Sequence, residues 1–513
     1  MTKILYKIIL LCLITFFIPF KAFSQEKIDD IEVIGISPLP GIEIDRNKVP
    51  NASQSLREID LDSSTGTTIV DLLGEKLTGV TIKDVQNSPF QKNIDYRGFT
   101  AAPLLGESQG LAVYLNGTRI NEGFGDTLQW ELVPEAALTN IDLMSSNPVF
   151  GLNALGGSLA LTTKKGLDFL NTDSSVENHF EFGGADWVNG NIELGAGDES
   201  QGLYVAMGNS YDGGWRDNSA GDVKRLFINY GKIFENSDFD FTFMNADSNL
   251  NGNGVSPTEL LKVRRESVFT WPDFTSNKVY LAASNANFYL EDDSIINTSV
   301  HYRRLIRDTL NADELDAEEC AEDDEDHAEQ MEDDFGTADE PICGEADSDD
   351  YEVLIDQFGN AISNNDAIRK YGLLNKSSTM TVTWGGSAQY NINTNYLDKM
   401  HNIIVGASID KTRTAFHSRG ELGQLHNNRT VTNLLNTEGG FITLESIREH
   451  DGTDGGMEDA NERGDVGSAQ LASKTDYYGI YVNDLFAFDD KTDITISARA
   501  NLAYVKLYDH LKT

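Results

Sequence analysis

From Ser175 onward the chain is patterned in twos. In "DFDFTFM", Phe239, Phe241 and Phe243 fall on one side and Asp238, Asp240 and Thr242 on the other, the period that an extended strand imposes on its side chains. The same rhythm, imperfect in places, predicts about eleven strands: "VENHFEFGG", "NGNIELGAG", "GLYVAMGNSY", "KRLFINYGKIF", "DFDFTFMNA", "KVYLAASNANFYL", "IINTSVHYRRLI", "TMTVTWGGSAQYNI", "HNIIVGASIDKT", "YYGIYVNDLFAF" and "DITISARANLAYVKL". Alternation alone fits two architectures. A soluble sandwich buries the apolar face, whereas a membrane barrel turns it to lipid and keeps polar groups inside. The links between the strands favour the barrel. Short links at Asp198–Gly202, Glu235–Asp238, Glu291–Ser294, Asn395–Met400 and Asp489–Asp493 alternate with long ones at Asp212–Val223, Ser248–Asn277, Asp308–Ser377 and Arg413–Thr475. Outer-membrane barrels sort their loops this way, with short periplasmic turns and long external loops. A sandwich has no reason to.

Ahead of the strands the pattern is mixed. In "TGTTIVDLLGEKLTGV", Ile69, Leu72, Leu73 and Leu77 share one helical face, Thr67 or Thr68 can cap the start, and Gly79 follows the end. "VTIKDV" and "KNIDYRGFT" read as strands, the second with a turn at Arg97-Gly98. "GLAVYLNGTRIN" reads as a hairpin around Asn116-Gly117, a dipeptide that accepts the positive φ of a tight turn. "SLALTTK" follows a Gly156-Gly157 break. At the N-terminus, Lys3 and Lys7 precede an apolar run, Ile8 to Phe20, and the small residues of Ala22-Phe23-Ser24. That is the layout of a removable secretory signal. The run is shorter than the ~20 residues a spanning helix needs. Behind it, "DDIEVIGISPLPG" is a short strand-like piece cut off by prolines.

Charge and cysteine narrow the setting. A net charge of −42 argues against nucleic acid as a partner. Cys12 leaves with the signal, and Cys320 and Cys343 remain. One disulfide between them is open to an exported chain, and a bacterial envelope protein fits this usage.

The order of helix, "YRGF", "VYLNG" and "IDLM…FGLNALGGSLALTTKKG" resembles the plug of TonB-dependent outer-membrane receptors over Ser53 to Gly166. Where that family often carries Arg-Gly-Pro, this chain has Met144-Ser145-Ser146-Asn147-Pro148. The resemblance implies a mainly β fold: an α+β plug followed by an antiparallel transmembrane barrel. It divides the chain into a signal at 1–24, a TonB box and Pro-rich linker at 25–50, a plug at 51–166 and barrel strands at 167–513. Such barrels close with ~22 strands. About eleven strands and an ending at "YVKLYDHLKT" suggest a barrel only partly present. Asp30, Ile31, Glu32, Val33, Ile34 and Gly35 resemble the TonB box, which would add a strand to TonB through main-chain bonds. The proline-rich tail behind it would give reach and keep it from folding onto the plug. The resemblance further implies a bacterial outer-membrane receptor that imports a scarce solute with energy from TonB, ExbB and ExbD. The solute classes are a metal chelate, cobalamin or a saccharide, and outer-membrane lipid surrounds the wall. The rival readings are an adhesion module and a passive porin, neither of which has a use for a plug and a TonB box.

The remaining motifs carry little chemistry. About half of Asp308 to Asp350 is Asp or Glu, but the run lacks the spacing and glycine of a calcium loop, so a solvated acidic loop is the plain reading. A Cys320–Cys343 bond would close a loop there. His179, His301, His417, His426 and His450 show no metal spacing, and Arg97 reads as a structural plug residue satisfied by carboxylates. No nucleophile elbow, phosphate loop or catalytic carboxylate pair is present, so the sequence predicts no enzyme, no cofactor and no metal centre.

Overall fold

The structure, a computed structural model, describes residues 33–39, 43–62, 68–145, 147–184, 186–320, 341–344, 350–365, 367–436, 438–450, 462–463, 466–489 and 491–511. The signal at 1–24 and most of the acidic run lie outside them. Short pieces β1 (Val33–Gly35) and β2 (Glu43–Asp45) come first. An N-terminal domain follows with β3 (Ser53–Arg57), α1 (Glu58–Asp62), α2 (Ile69–Lys76), β4 (Val80–Asp84), β5 (Lys92–Tyr96), β6 (Phe99–Ala101), β7 (Leu111–Leu115), β8 (Thr118–Arg119), β9 (Leu138–Met144) and β10 (Gly157–Thr163).

Local chemistry accounts for these elements. Thr68 caps α2: its hydroxyl accepts from the Asp71 amide, and the Asp71 carboxylate accepts from the Thr68 amide, which satisfies two donors the first helical turn leaves over. Ile69, Val70, Leu72 and Leu73 are buried on one face, and the chain leaves through Gly79 at φ +81°. The β7–β8 hairpin turns at Asn116 (φ 46°) and Gly117 (φ 87°). The domain's main sheet runs β3-β9-β10-β7-β8, with β10 parallel to β7 and antiparallel to β9.

The rest is a wall of antiparallel strands: β11 (Thr172–Phe182), β12 (Val188–Gly197), β13 (Gln201–Asp212), β14 (Gly221–Phe234), β15 (Ser237–Asn251), β16 (Asp273–Tyr289) and β17 (Ile295–Glu314). After the short loop strands β18 (Ala317–Glu319), β19 (Ile342–Gly344) and β20 (Asp350–Ile355) come β21 (Tyr371–Tyr396) and β22 (Lys399–Leu425). β23 (Val431–Asn433), β24 (Thr443–His450) and β25 (Glu462–Arg463) lead to β26 (Ala469–Asp489) and β27 (Thr492–Asp509). Each of the eleven strands read from the alternation falls on a different long strand; the first overruns β11 into Gly183 and Gly184, and the sixth overruns β16 into Leu290. The wall runs β11 through β17, then β21, β22, β26 and β27, and no pairing among the described residues joins β11 to β27.

The two faces of the wall are those of a membrane barrel. On β15, Asp240 and Thr242 are buried inward while Phe241 is exposed outward. Val176, Phe180 and Phe182 on β11, Val300 and Tyr302 on β17, and Ile480 and Val482 on β26 are also exposed, an arrangement that only a hydrocarbon surround favours. No helix among the described residues is long and apolar enough to cross a membrane.

One expectation needs correcting. Parts of the long links read as loops are strand: β21 has 26 residues and β22 has 27, against the ~9–11 that cross a bilayer. Past the bilayer edge the two-residue alternation lapses while main-chain pairing continues, so the hydrophobic pattern understates strand length. At this long-loop end β18, β19, β20, β24 and β25 form a small antiparallel sheet. It covers a core of Ile342, Leu354, Tyr371, Leu373, Leu422 and Leu444. Cys320 and Cys343 are bonded there, their Cα atoms 5.0 Å apart, beside Val353 and Ile355.

Candidate functional site

The functional geometry lies along the seam between the N-terminal domain and the inner face of the wall. An apolar core bridges it, with Leu73, Leu111 and Trp130 of the domain clustering with Tyr204, Phe227 and Val279 of the wall. Polar groups do the rest. At the short-turn end, Lys165 pairs with Asp240 at 3.3 Å, and the Gly166 amide donates to Asn229 Oδ1 at 2.7 Å. Lys164 reaches Glu193 (2.8 Å), Glu58 (3.2 Å) and Glu177 (3.5 Å). The backbones nearly touch here, and a Cβ on Gly166 would strike the Gly202 carbonyl oxygen and the Gly231 amide. Higher up, Glu122 meets Arg303 of β17, both buried. Arg307 donates to the Pro103 carbonyl at 2.6 Å. Arg225 of β14 donates through Nε to the Glu131 carbonyl at 2.7 Å, and Arg499 of β27 donates to the Val149 carbonyl at 2.9 Å.

Sequence reasoning missed these pairs. Arg225 and Glu131 are 94 residues apart, and Arg303 and Glu122 are 181 apart, so no local spacing announces them. The one available signal was a buried-side polar residue recurring in the strand alternation, as at Asn229 and Asp240.

The N-terminal segment is seated on the same surfaces. Asp30, Ile31 and Glu32 lie outside the described residues. Ile34 is buried with Ala112, Tyr114, Met144 and Phe150. Ile36 is buried with Ile44, Val149, Ile404 and Tyr481, and its carbonyl accepts from Asn147 Nδ2 at 3.1 Å. This differs from the expected free leash. Proline removes a ladder donor but does not stop apolar side chains from finding a pocket. Arg97 differs too. It sits exposed in the β5–β6 turn at φ 55°, 4.9 Å above the Tyr96 ring, with no carboxylate pair among the described residues.

Nothing in the seam resembles a reaction centre. His301 faces Asp410 at 3.2 Å across two wall strands, and no cluster of three metal-capable side chains occurs among the described residues. What the seam can do is hold one body inside another through many separable contacts. Residues 45–158, the body so held, match the family model described as TonB-dependent Receptor Plug Domain. This part of the chain is a TonB-dependent receptor plug domain. A search of curated proteins found no match.

Among solved structures the receptor fold recurs at low identity. The ferric-catecholate import receptor Fiu of E. coli K12 aligns with a TM-score of 0.58 at 11% identity, over 90% of this chain and 61% of that one. The siderophore receptor PiuA of Acinetobacter baumannii aligns at 0.56 and 11%, over 90% and 62%. The ferripyoverdine receptor of the Pseudomonas aeruginosa outer membrane aligns at 0.57 and 12%, over 93% and 55%. The chain thus spans less than two-thirds of the length of these receptors.

Proposed function

We propose that this receptor captures a scarce solute outside the cell and releases it to the periplasm when TonB, energised through ExbB and ExbD, draws on the segment Asp30–Gly35. The observation that carries the reading is a plug held inside a strand wall by separable polar pairs, a design suited to displacement. A metal chelate is the solute class we favour, because the similar structures include a ferric-catecholate import receptor, a ferric citrate transporter and a receptor bound to ferripyoverdine. Side chains add support at the long-loop end. Trp215 is half exposed between Arg216 and Arg265, whose guanidinium carbons lie 5.8 and 5.5 Å from its ring. In a chain of net charge −42, this cationic, aromatic face suits an anionic chelate. The test is deletion of Asp30–Gly35 in the producing cell. Surface binding of solute should persist while energised uptake disappears, and normal uptake by the deletion strain would sink the assignment. Val33→Pro should act in the same direction, since proline cannot donate to an added strand.

A further inference from the structure

Glu131 stands on the plug's 3-10 turn, Trp130–Leu132, and is 2% exposed. Its Oε1 accepts from Asn277 Nδ2 of β16 at 2.8 Å and from Ser248 Oγ of β15 at 3.3 Å. Its Oε2 is buried without a hydrogen-bond partner, and so is Oδ1 of Asn277, the group to which it is already joined. An ionised carboxylate and an amide oxygen both only accept, so they cannot satisfy each other. Turning the Asn277 amide over would not help, because its oxygen would then face Oε1. A proton on Oε2 would turn one of these two orphan acceptors into a donor for the other. It would donate to Asn277 Oδ1 while Asn277 Nδ2 donates to Oε1, closing a two-bond acid–amide ring.

The surrounding charges do not supply an alternative. Arg225 of β14 spends Nε on the Glu131 main-chain oxygen, and its Nη1 faces Ser210 Oγ at 3.1 Å and Glu135 at 3.5 Å. Arg307 of β17 spends a donor on Pro103. The groups of β15 and β16 that bond its carboxylate among the described residues, Ser248 and Asn277, do not titrate. Glu122 has a guanidinium set against its carboxylate, whereas Glu131 feels Arg307 only at longer range and makes no ion pair among the described residues. Burial accordingly pushes the Glu131 carboxyl above its ordinary range, an effect only partly offset by its own main-chain amide, Arg307 and the two hydrogen bonds.

We propose that the plug is fastened to the wall by a protonated Glu131–Asn277 pair, so that seating the plug takes up a proton and unseating it releases one. The sign follows from linkage. The seated pKa lies above the unseated one, so the latch is at full strength below the ordinary carboxylate value of about 4.3. It weakens as pH rises, by up to about tenfold in the seating equilibrium per pH unit, until the seated pKa is passed.

The test uses the full chain in membranes and does not need a solute, so its outcome is separate from the import reading. At neutral pH the wild type should show the infrared carbonyl stretch of a protonated carboxyl, and Glu131→Gln should lack it. The urea concentration that frees the plug, followed by proteolysis, should fall with rising pH in the wild type. It should stay level in Glu131→Gln, whose amide keeps both bonds at any pH. Asn277→Asp, which sets acid against acid, should loosen the plug at neutral pH and recover on acidification. Absence of the protonated band at neutral pH, or the same pH slope in wild type and Glu131→Gln, would overturn the proposal.

Discussion

At the scale of single residues, the seam is held by groups whose loss costs more than their presence contributes. Glu122→Ala leaves Arg303 charged and buried with no counterion, and removing one member of such a pair costs about 3–5 kcal/mol. We predict that plug retention in urea falls accordingly. The double change Glu122→Ala with Arg303→Met should restore much of it, because no buried charge is then left unmatched. A capping change is smaller: Thr68→Ala removes the acceptor for the Asp71 amide and should cost about 1 kcal/mol, visible as faster amide exchange in α2. Gly166→Val is of another kind. The side chain would be driven into the Gly202 carbonyl, and the expected outcome is a plug that no longer seats although it folds.

At the scale of elements, legibility divides along sequence distance. The wall strands were readable because each writes its own alternation, as Phe239 to Phe243 do, and neighbours pair through short turns. The α2 cap, the Asn116-Gly117 turn and β10 were readable for the same local reason. The small sheet at the long-loop end was not. β20 pairs with β24 across a hundred positions, Asp350 opposite His450, and its two- to eight-residue strands are too short to show a period. Glu131 and Asn277, 146 residues apart, were equally hidden, since an isolated Glu before Leu-Val-Pro carries no mark of its partner. Cys320 and Cys343 were readable as a pair but not as the edge of a sheet. Opening that bond by Cys320→Ser frees a loop of 23 residues, which the chain-entropy view values at roughly 3 kcal/mol. We predict that proteases then cut the long-loop sheet while the wall below stays intact, a difference gel analysis of the fragments would show.

At the scale of the whole molecule, two solvents and one interior have to be satisfied together. Val300→Arg places a charge on the lipid side of β17, six residues beyond the Glu291–Ser294 turn, and should cost up to about 2–4 kcal/mol; a lowered urea midpoint in vesicles checks it. The plug adds a mechanical property. β3 lies at the edge of the plug sheet and is held by five rungs to β9, beginning at Ser53 opposite Met144 and ending at Arg57 opposite Asn140. Tension from the N-terminal side first has to free Ile34, Ile36 and Ile44 from their pockets; it then reaches the Ser53 rung before the other four, so the rungs load in sequence and not together. Each rung that opens releases roughly 3.4 Å of chain. The buried pairs at Glu122, Glu131 and Lys165 lie beyond it and are loaded only after this zipper has run. A tether pulled from residue 34 in a single-molecule instrument should therefore show one release of the seated N-terminal segment and then lengthen in small steps before the buried pairs give way, with the edge strand acting as a fuse that converts a steady pull into travel.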